Sequence, residues 1–65
     1  GDALRVATMP RTIAIEANGL NVSVISTTGI ILWSGTIHGT RLVTVPAGIY
    51  IVKGGDSVIK VAVAD

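Results

Sequence analysis

His38 is the single imidazole of the chain, and it stands beside Gly39. To act as a general base it needs a partner that orients its ring and a nucleophile within reach. Serines and threonines are abundant, yet none sits in a Gly-x-Ser-x-Gly elbow. The expectation is a loop histidine with its ring in solvent. The four carboxylates, Asp2, Glu16, Asp56 and Asp65, are far apart in sequence. Glycoside hydrolysis needs two convergent carboxylates, and a calcium loop needs several at close spacing. Neither pattern occurs, so these residues read as turn and surface groups, with Glu16 at an outward strand position. There is no cysteine, which excludes thiol nucleophiles, disulfides and zinc ribbons. Gly54-Gly55 follows Lys53 and precedes a strand-like run, the reverse of what a phosphate loop requires. The residues therefore point to no catalytic set, no metal ligands and no cofactor.

Five basic residues, Arg5, Arg11, Arg41, Lys53 and Lys60, against four acidic ones give a net charge of +1. Nucleic-acid binders concentrate positive charge and interleave it with aromatic platforms. Here the charge is scattered and the only aromatics are Trp33 and Tyr50. An amphipathic ring can pack in a core or stack on a sugar. Trp33 and Tyr50 are therefore the candidate glycan contacts, with core or edge packing as the competing role.

These side chains must be positioned by strands. Val, Ile and Thr dominate, and branched side chains suit a pleated surface better than a helix. Alternation places Ile13, Ile15 and Ala17 on one face, Val22 and Val24 with Ser26 on another, and Ile59, Val61 and Val63 inward with Lys60 outward. Turn signals separate the runs: Asn18-Gly19 as a tight hairpin, Thr27-Thr28-Gly29 as a short loop, Ser34-Gly35 and His38-Gly39 around Ile37, Pro46-Ala47-Gly48, and Gly54-Gly55-Asp56. Met9-Pro10 marks a bend, since Pro10 cannot donate to a ladder. The predicted strands are 3–7, 12–17, 21–26, 30–34, 36–38, 41–45, 49–53 and 57–64. Seven or eight short strands with glycine-rich turns predict an all-β fold, a small compact antiparallel β-sandwich. Residues 1–11 read as a linker or first edge strand, and 12–65 as the domain, with Gly1 read as a scar of tag removal.

A chain of 65 residues with 49% apolar and 14% charged residues is too hydrophobic for disorder. A domain of this size buries only about 60% of the surface its unfolded chain exposes. So many apolar residues on so few positions leave some exposed, which favours a partner surface or a second copy meeting an apolar patch or edge strand. Residues 17–40 carry no formal charge, but polar residues and glycines interrupt them, and the longest apolar run there is Ile30-Ile31-Leu32-Trp33. A spanning helix needs about 20 predominantly apolar residues, so no membrane span is expected.

Three stretches in order carry a family resemblance: residues 22–31 (Val22-Ser23-Val24-Ile25-Ser26-Thr27-Thr28-Gly29-Ile30-Ile31), then 42–53, in which Pro46-Ala47-Gly48-Ile49-Tyr50-Ile51-Val52 is the most specific part, then Val58-Ile59-Lys60-Val61-Ala62-Val63. Over about residues 12–65 the chain resembles the C-terminal sorting domain of the type IX (Por) secretion system of Bacteroidota. The resemblance rests on Gly29, Pro46, Gly48, Tyr50, Lys60, Val61 and Val63. It implies an immunoglobulin-like sandwich at the C-terminus of a larger exported protein. It also implies a non-catalytic address read by the secretion translocon through the final strands, and a location at the cell surface after passage through the periplasm. The alternatives are an adhesion or carbohydrate-binding module and a structural or dimerisation cap on a bacterial surface protein.

Overall fold

The computed structural model describes residues 4–65. Gly1, the expected tag scar, and Asp2 lie outside them, as does the start of the strand predicted from residue 3. The described chain is all-β and antiparallel, with strands β1 (Arg5–Met9), β2 (Thr12–Ser26), β3 (Ile31–Thr44), β4 (Gly48–Gly54) and β5 (Ser57–Val63). No helix among the described residues is long and apolar enough to cross a membrane.

All five strands belong to one sheet, and β2 is its spine. Along one edge β2 pairs with β3 over nearly its whole length. Along the other edge its first half meets β1, from Thr12↔Met9 to Glu16↔Arg5, and its second half meets β4, from Val22↔Gly54 to Ser26↔Tyr50. β5 follows β4. A straight strand of this length would span about 50 Å. The whole domain is only 31 Å in its longest dimension. Moreover, Thr44 lies opposite Thr12, yet four residues later Gly48 begins a strand paired with the far end of β2. Four residues reach no more than about 14 Å. The β2–β3 hairpin must therefore be folded over, and the sheet curls into a half-barrel.

The bend lies at Gly19, where the register slips between Asn18↔His38 and Leu20↔Ile37. Gly19 has φ 76°, a left-handed value that costs glycine little. The extra residue is a β-bulge, and it solves a parity problem. Before it the inward residues are odd-numbered, Ile13, Ile15 and Ala17; after it they are even-numbered, Leu20, Val22 and Val24. Without an inserted residue one of these sets would face water. With it, both halves of β2 line one core with Ile37, Val43 and Val45 from β3 and its end, Tyr50 and Val52 from β4, and Val63 from β5.

This corrects the strand count. Asn18-Gly19 is a bulge inside β2 rather than a hairpin turn, so the predicted strands 12–17 and 21–26 are one. Ser34-Gly35 and His38-Gly39 lie inside β3, which absorbs the segments 30–34, 36–38 and 41–45. Five strands in one curled sheet therefore stand where seven or eight in a sandwich were predicted. The remaining turns fall where expected. Pro10-Arg11 is a two-residue turn between β1 and β2, with Arg11 at φ 56°. Thr27-Thr28-Gly29 closes the β2–β3 hairpin, with Ser26 N–H donating to Ile30 O (2.8 Å) and Gly29 at φ 90°. Gly55-Asp56 joins β4 to β5.

Candidate functional site

The residues that carry the family resemblance occupy two places. Gly29 sits alone at the exposed tip of the β2–β3 hairpin, where Ile30 N–H also donates to Ser26 Oγ (3.1 Å). The others gather on the β4–β5 ladder and the loop before it. Register places Gly48 opposite Val63 and Tyr50 opposite Val61. Tyr50 is only 6% exposed, and its hydroxyl donates to the Pro46 carbonyl at 2.6 Å. That bond ties the β3–β4 loop to the start of β4. The Tyr50 ring and hydroxyl also lie 3.6–3.8 Å from where a Cβ on Gly48 would sit, so loop and ring are packed together. Val63 is buried, Val61 is half-buried, and Lys60 points outward from β5. β5 has a ladder partner on one side only, since the sheet path ends there.

Its far end is held by the Pro10–Arg11 turn. Arg11 N–H donates to Ala64 O (2.8 Å), Arg11 O accepts from Val45 N–H (3.0 Å), and the Arg11 guanidinium reaches Asp65 Oδ1 (3.2 Å). The ion pair is well exposed on both sides and adds little in water. The two backbone bonds fix where the last strand ends.

The two aromatics do not form one platform. Tyr50 is in the core, whereas Trp33 is half-buried on β3. Trp33 lies along its own strand: its ring comes within 3.1 Å of where a Cβ on Gly35 would be. From the other direction Arg41 brings its guanidinium to 5.2 Å from the Trp33 ring centroid. Trp33, Gly35, Ile37, Gly39 and Arg41 share one face of β3 by alternation. Eight residues of extended strand would span about 26 Å, so the two side chains meet only because β3 is folded over. Such a cation–π contact contributes about 0.5–1 kcal/mol when exposed. In the sequence Arg41 is one of five scattered charges. The signal that could have singled it out is the symmetric spacing Trp33-x-Gly35 and Gly39-x-Arg41 about Ile37.

His38 is exposed, but on β3 opposite Asn18 rather than in a loop, because the bulge at Gly19 lets the strand continue through it. Its ring lies 3.6 Å from where a Cβ on Gly19 would sit. Glu16 faces outward as expected, across from Arg5 on one side and Thr40 on the other. These three rim a shallow outer depression of about 300 Å³ floored by Ala7 and Ala14. Among the described residues no three of His, Asp and Glu come together as a metal-binding group. Asp56 is in the β4–β5 turn and Asp65 pairs with Arg11. All five basic residues are exposed.

No family model matches the chain, and neither does any curated protein or solved structure.

Proposed function

We propose that this chain is a non-catalytic sorting or surface-targeting domain at the C-terminus of a larger exported protein, read through its final strands. One observation carries the reading. The motif Pro46-x-Gly48-x-Tyr50 and the motif Lys60-Val61-x-Val63 are hydrogen-bonded neighbours on one ladder, and the second of them is an edge strand. An edge strand offers unpaired backbone groups to a receptor strand. The partner is a secretion translocon, and the destination is the cell surface by way of the periplasm. The Tyr50-to-Pro46 bond also supports the finer fold assignment, because a tyrosine hydroxyl bonded to backbone a few residues upstream is a recurring device of immunoglobulin-type sandwiches. The folded-over hairpin then supplies strands to both layers.

The test is a fusion of residues 1–65 behind a signal peptide and a fluorescent reporter, expressed in a Bacteroidota host with a working type IX system and in one without it. The expected result is surface reporter in the first host only, lost on truncation after Gly55. Truncation also removes the core residue Val63, so Lys60→Glu, an exposed change that spares the core, serves as the second variant. Reporter held in the periplasm of both hosts would sink the export reading.

A further inference from the structure

β3 forms the longest edge among the described residues. β3 runs 14 residues and has a ladder partner only in β2. Natural edge strands are protected by shortness, proline, lysine, a bulge, an inward-pointing charge or a covering loop. β3 has none of the first three: it contains no proline and no lysine, and Arg41 is its only formal charge. The edge also has a defined interior. Thr36, Ile37, His38, Thr40 and Arg41 line an open groove of about 280 Å³. Arg41 reaches this groove already aligned by the Trp33 ring, and among the described residues no carboxylate pairs with it.

The charge pattern decides between occupants. Residues 17–55 contain no Asp or Glu. If β3 paired with β3 of a second copy, Arg41 would be drawn into the new ladder with no carboxylate from either strand. Like charges brought together across a ladder, with no carboxylate between them, are destabilising. A strand with its own carboxylate at that position would instead form a charge-assisted fork with Arg41. We infer that the β3 edge is a docking site for an extended acidic peptide segment, which adds as a further strand and places a Glu or Asp side chain on Arg41. This site lies on the opposite edge from β5 and does not depend on the export reading.

The phase of the ladder gives a clean variant. The Pro10–Arg11 turn makes Met9 and Thr12 a hydrogen-bonded pair, so Thr12 points its backbone groups at β1. Ile13 and Ile15 then point theirs at β3, toward Val43 and Arg41. Thr40 and Leu42 are left with their N–H groups on the open edge. Thr40→Pro therefore removes an edge donor without removing a β2–β3 bond.

The experiment is an amide-resolved NMR titration of the 65-residue chain. The probe is a nine-residue peptide of alternating valine and threonine with a central glutamate, and the controls replace that residue by glutamine or proline. The expected result is perturbation confined to residues 31–44, with affinity about tenfold weaker for the glutamine peptide and for Arg41→Gln. Thr40→Pro should abolish binding while keeping a dispersed spectrum. Equal affinity for the glutamate and glutamine peptides would overturn the proposal. So would perturbations centred on β5, no binding at millimolar peptide, or a concentration-dependent dimer by sedimentation with no peptide bound.

Discussion

Tyr50 does two jobs with one side chain. Its ring fills the core between Gly48 and Val61, and its hydroxyl closes the loop through Pro46. A hydroxyl that bonds a backbone carbonyl contributes about 1 kcal/mol net. Tyr50→Phe should therefore lower unfolding free energy by about 1 kcal/mol, read as a shift in urea midpoint at constant slope. Tyr50→Ala should cost about 3–5 kcal/mol, because it also opens a cavity. Equal effects of the two changes would assign the whole contribution to the hydrogen bond. Tyr50 was legible in the sequence as a packing residue, but the Pro46 bond was not, since nothing in residue order says where a hydroxyl points.

At the scale of elements, alternation was the reliable guide and glycine the misleading one. The faces read for Ile13, Ile15 and Ala17, for Val22 and Val24, and for Val61 and Val63 are the faces observed. What periodicity could not separate was a turn from a bulge. Asn-Gly is the usual signature of a two-residue hairpin turn, and Gly19 has the positive φ such a turn needs. A two-residue turn would pair Ala17 with Leu20 and shift the inward set from odd to even just as a bulge does, so the discriminating sign is the partner strand: β3 pairs with both sides of Gly19, through Asn18↔His38 and Leu20↔Ile37. A bulge conserves strand direction while shifting the face by one, whereas a hairpin reverses the strand. Gly19→Val tests the backbone requirement at the bulge. A branched residue at φ 76° is strained, and about 1–3 kcal/mol of destabilisation should appear as a lowered thermal midpoint. Gly29→Val in the open hairpin tip meets no neighbour within 4 Å, so any cost there comes from backbone strain alone.

For the whole molecule, composition foretold an apolar excess, and the sheet shows where it goes. Ile31, Ile25 and Ile51 stand in one cross-strand row on the outer face and lead to Lys60. Ile30, Ile31 and Val58 are each at least 60% exposed. A curled sheet of 65 residues has one inner face, so apolar residues beyond its capacity must point outward. The sandwich reading overestimated the number of strands but not the need for a covered core. The two proposed edges, β3 and β5, lie at opposite ends of the sheet. Thr40→Pro should therefore leave export of the reporter intact, and Lys60→Glu should leave peptide binding at β3 intact.

The Pro10–Arg11 turn also has a consequence for the order of assembly. It joins Arg11 to Ala64 across nearly the whole chain, and to Val45 across more than half of it. The β2–β3 hairpin, by contrast, grows outward from a three-residue loop by local steps. The Val45 bond is the next rung of that hairpin beyond Thr12↔Thr44. Closing the longer loop to Ala64 costs more chain entropy, so the hairpin zips first and the Ala64 bond forms last. Contacts absent from the transition state govern the rate of unfolding and leave the rate of folding nearly unchanged. Truncation after Val63 removes the Ala64 carbonyl that the Arg11 N–H holds, and it should raise the rate read on the unfolding arm of a chevron while the folding arm stays in place. A slowed folding arm would put this bond in the nucleus, and the last strand would then be the beginning of the fold rather than its seal.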